Sequence, residues 1–120
     1  TDSKKSSTQD AIWIRRTLRS GSVVENTGHV VVIGDVNPGA EIIANGDIVV
    51  WGKLRGSVHA GFEGDQEAIV CALDLSPMQL RIAGELALPA KKSKKPAPST
   101  ARIRDGQVVF ENWDPKRERL

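Results

Sequence analysis

An internal repeat constrains the fold of this chain more than any other feature of its sequence. An offset of 18 residues superposes aliphatic residues on aliphatic or small ones, as in the columns Ile12/Val30/Ile48 and Val24/Ile42/Ala60. Glycines mark the same period, with spacings of 18, 18 and 20 residues between Gly28, Gly46, Gly64 and Gly84. A fixed period of this length is typical of a solenoid, in which each coil buries its inner face by stacking on its neighbours.

A finer period of six residues divides each coil into three parts. Every sixth position between residues 12 and 60 is aliphatic or small: Ile12, Leu18, Val24, Val30, Val36, Ile42, Ile48, Leu54 and Ala60. Alternate side chains of a strand point to the same side, and glycine permits the positive φ angles of tight corners. The sequence therefore predicts an all-β fold, a short triangular β-helix with about 18 residues per coil and roughly four coils.

Length and composition predict one small domain. The chain has 120 residues, of which 39% are hydrophobic and only 4% aromatic, and this is too little for two cores. We expect a polar linker or artificial junction at 1–11, the β-helix at 12–88 and a basic, proline- and lysine-rich linker at 89–100. Strands at 101–114 are expected to cap or pair with the β-helix, and a charged tail follows at 115–120. The polar start indicates a fragment of a longer protein.

Several classes of function are disfavoured by the sequence. No apolar run approaches the ~20 residues of a membrane span, and no signal-peptide pattern is present, so we expect a soluble cytoplasmic protein. The single Cys71 excludes an internal disulfide and a cysteine-based zinc site within one chain. No metal-ligand spacing or phosphate-binding glycine motif indicates a metal or a cofactor. The lysines at 91–95 lie among prolines without an aromatic neighbour, which favours a solvated linker over nucleic-acid binding.

Strand alternation predicts an apolar strip on the outside of the solenoid. If Val30, Val32, Ile48 and Val50 face inwards, the residues between them face outwards. We expect this strip to be a two-fold dimer interface; the alternative is that the C-terminal strands cover it. A two-residue insertion in the third coil would bring Ile69 and Cys71 into the columns of Val49 and Trp51. The predicted strip consists of Val31, Ile33, Val49, Trp51, Ile69 and Cys71.

A polar column is predicted at one corner of the solenoid, where Arg19, Asn37 and Arg55 stack. Ser20 and Gly21 follow Arg19 directly. An arginine beside a small, flexible turn can approach a partner's carboxylate or backbone closely. The alternative is an ordinary solvated corner.

Four ordered segments resemble a known family. They are 17–21 (TLRSG), 34–41 (GDVNPGAE), 43–48 (IANGDI) and 51–56 (WGKLRG), and shorter matches follow at 60–61, 64–65 and 79–83. Together they resemble the C-terminal domain of the bacterial septum-site determining protein MinC, closely over about residues 18–83. Residues 101–110 are similar to the family's end in general pattern.

The resemblance implies a fold, partners and a location. It implies a right-handed β-helix that is not an enzyme, forms a homodimer and binds the ATP form of the ATPase MinD at the membrane. That binding would recruit the cytoplasmic protein to the inner face of the membrane. FtsZ ring assembly, and with it septum formation, would then be blocked at wrong sites, through an N-terminal domain not visible in this chain and through contact of the C-terminal domain with FtsZ.

The resemblance also implies the residues that contact MinD. The family's binding loop corresponds to Arg19, Ser20, Gly21 and Ser22, and Ser22 stands where the family usually has glutamine. Arg19 would form the ion pair, and Ser20 and Gly21 would allow close backbone approach. The expected rim contacts are Asp35, Glu41 and Arg55.

A second function class is compatible with the six-residue period. Hexapeptide-repeat acyltransferases are left-handed β-helix trimers that use a histidine as general base. By strand alternation His29 and His59 both face outwards. Neither has an acidic neighbour in the sequence that would orient it, and four coils are a short platform for an acyl carrier. A trimer in solution would favour this alternative.

Overall fold

The computed structural model describes residues 10–87 and 97–113, which form eleven strands and contain no helix. The first coils contribute β1 (Ala11–Ile14), β2 (Val23–Asn26), β3 (His29–Ile33), β4 (Glu41–Ala44), β5 (Ile48–Leu54) and β6 (Ser57–Ala60). The later strands are β7 (Val70–Leu75), β8 (Gln79–Ile82), β9 (Glu85–Leu86), β10 (Ser99–Arg104) and β11 (Gln107–Asn112). The short strands and their corners follow the repeat.

Three faces enclose the core. The first sheet has the strand order β1-β3-β5-β7-β10-β11, and the second sheet has the order β2-β4-β6-β8-β9. The third face is held by single parallel bridges that join Leu18 to Val36 and Val36 to Leu54. Successive coils pair in parallel on all three faces. The predicted all-β solenoid with triangular coils is confirmed.

The core lies inside the prism, along the columns of the six-residue period. Leu18, Val30, Ile42 and Ile48 are 0% exposed. At the first coil the burial is incomplete, because no other strand of residues 10–87 and 97–113 covers its outer side: Ile12 is 36% exposed. The β-branched residues suit these positions because their restricted side chains pack well on a pleated surface.

The register departs from the predicted offset after the second coil. Ile42 lies beside Val58, at an offset of 16, so the predicted stacking of Ala60 on Ile42 is wrong. On the first sheet the next offset is 22, which places Cys71 beside Val49. The prediction that Cys71 joins the column of Trp51 is therefore wrong, and Ile69 follows Asp47 instead of Val49.

Two corners of unequal length cause this shift. The third coil turns from Leu54 to Ser57 through Arg55 and Gly56 alone. A side chain at Gly56 would lie 2.6 Å from the carbonyl oxygen of Ala40, so only glycine fits this tight turn. The following loop, 61–69, is six residues longer than its counterpart at 45–47, and the offset accordingly changes from 16 to 22.

The C-terminal hairpin extends the first sheet. β10 pairs antiparallel with β7, and β11 pairs with β10. Ala101 is fully buried, and Val108 and Phe110 pack against the core cluster. The hairpin therefore lies at the edge of the sheet and does not cover its outer face, so the alternative that these strands bury the apolar strip is wrong. Most of the expected linker at 89–100 and the whole tail at 115–120 lie outside the described residues.

Candidate partner-binding faces

The third face presents an outward column of polar side chains. The amide of Asn37 donates to the carbonyl oxygen of Leu18 at 2.9 Å, and the amide of Arg55 donates to that of Val36 at 2.8 Å. These bonds bring Arg19, Asn37 and Arg55 into one column. Because Leu18 and Val36 are fully buried, strand alternation directs this column to solvent.

A tight turn follows Arg19 and is stacked on the same turn of the next coil. The amide of Ser22 donates to the carbonyl oxygen of Arg19 at 2.9 Å, and Gly21 donates to Gly39 at 3.0 Å. Both glycines have a φ of 92°, which disfavours any side chain there. Ser20 lies directly against Gly39. The turn around Arg19 is thereby held by the second coil.

The carboxylates assigned to this site lie in two different places. Asp35 is half-buried on the third face, where its Oδ1 accepts a hydrogen bond from the Lys53 amide at 2.8 Å. Its carboxylate thus links two coils. Glu41 is exposed on the outer face of the second sheet, between Val23 and Ser57. The structure therefore brings Asp35 together with the arginine column and places Glu41 around the corner.

The two arginines of the column are available to a partner. Arg19 and Arg55 are exposed. No hydrogen bond or ion pair within residues 10–87 and 97–113 engages either guanidinium, since the arginine ion pairs found there lie at Arg102–Glu111 and Arg104–Glu111. An exposed guanidinium held on an ordered turn is suited to bidentate binding of a carboxylate.

Replacing Gly39 with alanine is expected to destabilise the turn around Arg19. The new Cβ would lie 2.3 Å from Ser20 Oγ and 2.9 Å from Ser20 Cβ, so the turn must move. Gly21→Ala is a matched control because it has the same φ but meets no atom within 4 Å. We expect Gly21→Ala to cost about 1–2 kcal/mol of unfolding free energy, and Gly39→Ala to cost a further ~1–3 kcal/mol. Urea denaturation measures both, and equal losses would contradict the stacking of Ser20 on Gly39.

The apolar strip lies on the outer face of the first sheet. The register places Val31, Val49 and Cys71 side by side, and Ile33 beside Trp51. Trp51 is 55% exposed and Ile33 is 38% exposed. Strands of parallel sheets that are buried on both faces show continuous apolar runs, as 30–33 and 48–51 do here. The outer face of the first sheet therefore has the apolar composition that is typical of a buried sheet face.

Two further features of this face were not included in the predicted strip. Trp13 lies beside Val31 and is 63% exposed; the 18-residue offset would have placed it there. Thr100 pairs with Cys71 and accepts a hydrogen bond from Trp113 Nε1 at 2.8 Å. No repeat relates the hairpin to the coils, so this contact had no signal in the sequence.

Cys71 is a half-buried thiol within this face. Desolvation by burial raises its pKa, and the hydrogen bond with the Thr100 hydroxyl opposes that shift. A thiol with a raised pKa is mostly protonated at neutral pH and reacts slowly. Cys71 therefore acts as a small apolar side chain of the face.

Both histidines have structural roles in the described part of the chain. The Nδ1 of His29 accepts a hydrogen bond from the Asp47 amide at 2.8 Å, and the Asp47 carboxylate lies 3.7 Å from the same nitrogen. The next coil thus supplies an acidic neighbour that the local sequence lacked. His59 Nε2 lies 2.7 Å from the Ala83 carbonyl oxygen, and its ring contacts Phe62 edge-on. These contacts link coils and loops.

The described residues contain no cluster of three or more potential metal-binding side chains. Nor does any helical segment among them have the length and apolar character that crossing a membrane requires. The two distinctive surfaces are the outer face of the first sheet and the polar third face. They define a small β-solenoid with one apolar and one polar outer face.

Comparison with known proteins identifies the particular family. The family model of the septum formation inhibitor MinC, C-terminal domain, matches residues 12–113. The chain belongs to this family. It is 51% identical over 104 residues to a probable septum site-determining protein MinC of Heliobacterium modesticaldum, covering 85% of this chain and 36% of that protein. It is 42% identical over 106 residues to the corresponding protein of Clostridium acetobutylicum, covering 88% and 50%.

A solved structure agrees with this assignment. A chain of the MinC:MinD cell division protein complex of Aquifex aeolicus superposes with a TM-score of 0.81 and 37% sequence identity. The match covers 88% of this chain and 87% of that chain. The chain spans about a third of the length of the first of these two relatives and half of the length of the second.

Proposed function

We propose that this domain is the partner-binding module of a cell-division inhibitor and binds the ATP form of MinD. The proposal rests on the membership in the MinC family and on the solved relative, which was determined in a complex described as MinC:MinD. The observation that carries it is the Arg19 guanidinium, which is exposed on an ordered turn and engaged by no other described side chain.

In the proposed complex, each residue of the third face has a distinct role. Arg19 forms an ion pair with a carboxylate of MinD, and Ser20 and Gly21 let the MinD backbone approach closely. Ser22 is half-buried, and its carbonyl oxygen accepts the Glu41 amide, so it supports the turn from within. Arg55 contributes a second cation from the same column.

The two carboxylates have more limited roles in the proposed complex. Asp35 already accepts the Lys53 amide and therefore contacts MinD only with its remaining lone pairs. Glu41 is reached only by a partner that extends around the corner onto the second sheet.

The outer face of the first sheet is proposed as the homodimer interface. The predicted residues Val31, Ile33, Val49, Trp51 and Cys71 lie on one continuous apolar face, and Ile69 lies at its border beside Asp47. A two-fold interface would cover this face on both copies at once. Two third faces, one on each side of the dimer, would then be available for two MinD molecules.

The proposed cellular role follows from MinD binding. A domain with no membrane span among its described residues reaches the inner face of the membrane by binding a membrane-associated partner. Septum formation would be blocked where MinD recruits the inhibitor, and FtsZ would be contacted by this domain or by other parts of the longer protein.

Co-sedimentation with MinD on lipid vesicles tests the proposal. The chain is mixed with MinD and vesicles in the presence of ATP or ADP, and its amount in the pellet is measured. We expect pelleting with ATP and none with ADP or without MinD. The absence of pelleting in both nucleotide states would refute the proposed partner. Sedimentation of the domain alone then becomes decisive, since a trimer would return the acyltransferase alternative to consideration.

A further inference from the structure

In the described part of the chain, the solenoid is open at its first coil. β1 is the terminal strand of the first sheet and β2 is the terminal strand of the second sheet. At the opposite end the hairpin of β10 and β11 and the short β9 complete the last coil. Within residues 10–87 and 97–113, no strand pairs with the outer side of β1 or of β2.

The side chains at the open end leave room for one more strand beside the first coil. Ile12 is 36% exposed, whereas its neighbour Val30 in the next coil is fully buried. Val24 on β2 is half-buried, whereas its neighbour Ile42 in the next coil is fully buried. A Cβ added at Gly21 would meet no atom within 4 Å, whereas the space beside the equivalent Gly39 is occupied by Ser20 of the preceding coil. The surface that every other coil buries is accessible on this one.

The backbone at this edge has hydrogen-bonding groups directed outwards. The His29 amide donates towards the first coil, to Asp10, at 2.8 Å, and the Val30 amide donates towards the third coil, to Asp47, at 3.0 Å. Ala11 and Ile12 are their register partners. If β1 follows the same alternation, the Ala11 amide points to the open side. An extended peptide could continue the ladder by accepting this hydrogen bond.

The first coil differs from the repeat in its charge. Arg15 stands where the next coil has Ile33, and Arg16 stands where it has Gly34. Arg19 follows on the same coil, and all three arginines are exposed. The positive charge is concentrated beyond the carboxyl end of β1, where an added parallel strand would also end.

We propose that the open edge of β1 binds an extended acidic peptide of a partner protein. The peptide adds to β1 in parallel, as β3 does on the other side, and its apolar side chains cover Ile12. The acidic residues that follow its strand lie against Arg15 and Arg16. This site is separate from the Arg19 turn proposed for MinD and does not depend on it.

Charge favours a peptide over a second copy as the occupant. The coil from Asp10 to Asn26 carries three arginines against Asp10 and Glu25. A second copy of β1 added in the same parallel direction would bring its own Arg15 and Arg16 against Arg15 and Arg16 of this coil, and like charges repel. Arginines at an edge can also serve only to prevent strand pairing. In that case no peptide binds.

Peptide titration followed by amide NMR tests the proposal. The probe is an acetylated, amidated peptide of five alternating threonines and valines followed by three aspartates. We expect saturable shifts of the amides of β1, and binding at least tenfold tighter than for the same peptide ending in three lysines. Shifts confined to other faces, or equal binding of the two peptides, would overturn the proposal.

Two variants locate the binding. Ala11→Pro removes the outward amide at the first position of an edge strand, where proline is tolerated, and is expected to weaken binding at least tenfold; Ala11→Val keeps the amide and should bind as before. Replacing both Arg15 and Arg16 by glutamine is expected to abolish the preference for aspartate without affecting the amide ladder. An undiminished preference in this double variant would contradict the assigned cation site.

Sedimentation of the same proteins without peptide addresses the alternative occupant. If Ala11→Pro lowers the oligomeric mass of the chain, a second copy occupies the edge and the proposal is wrong. Because neither MinD nor nucleotide is present in these measurements, their outcome is independent of the MinD proposal.

Discussion

Val49→Asp is expected to convert the proposed dimer to folded monomers. Val49 is half-buried at the centre of the apolar face, between Val31 and Cys71. In a two-fold interface the substitution would place two unpaired carboxylates in an apolar contact, and each costs several kcal/mol to bury without a partner. We expect the dimer dissociation constant to rise by at least about a hundredfold, which corresponds to ~3 kcal/mol.

Ile43→Asp is the matched control for this change. Ile43 is also an outward-facing, half-buried, β-branched residue of a middle strand, but it lies on the second sheet between Glu25 and His59. Analytical ultracentrifugation should find monomers for Val49→Asp and unchanged dimers for Ile43→Asp, with circular dichroism confirming the fold of both. A Val49→Asp protein that remains dimeric would place the interface on another face.

Arg19→Ala is expected to weaken the proposed ATP-dependent binding of MinD strongly while leaving the proposed dimer and the fold intact. The Arg19 side chain makes no contact that the fold needs, because the turn is held by backbone hydrogen bonds and by the stacking of Ser20 on Gly39. Truncating one partner of a buried, hydrogen-bonded charge pair at an interface costs about 2–5 kcal/mol. We therefore expect at least a thirtyfold loss of affinity in the vesicle assay, roughly the lower limit of that range.

Arg81→Ala controls for the loss of a positive charge. Arg81 lies on the outer face of the second sheet, beside His59, and its removal changes the net charge by the same amount. MinD binding should be retained in this variant. If both variants lose affinity equally, binding depends on overall charge and not on the turn around Arg19. Full retention by Arg19→Ala would remove Arg19 from the proposed site.

The sequence predicted the solenoid because a repeat imposes the same packing on every coil. Each inward or outward position recurs in several coils, so one atypical residue does not obscure the pattern. The inward columns and the outward apolar face therefore follow from the sequence alone. The Arg19 turn was found in two steps. The 18-residue offset stacks Arg19, Asn37 and Arg55, and Ser20 and Gly21 follow Arg19 directly. The family resemblance then assigned this segment to MinD binding.

The register of the third and fourth coils could not be derived from the sequence. The observed offsets of 16 and 22 and the predicted offsets of 18 and 20 are all even. An even shift exchanges one inward residue for another, so Val58 replaces Ala60 beside Ile42 without any change in hydrophobic pattern. This is why the inside and the outside of these coils were correct while the columns of Ala60, Ile69 and Cys71 were wrong.

The sequence by itself determined the coil, its three faces and the side to which each side chain points, because these follow from periodicity and strand alternation. Tertiary structure decided which residues of successive coils are neighbours, since corners of different length can be placed in the same repeat. It also decided that Asp35 links two coils and that Glu41 lies around the corner. Tertiary structure also decided the antiparallel pairing of the C-terminal hairpin with β7, because pairing between distant strands depends on the complete fold.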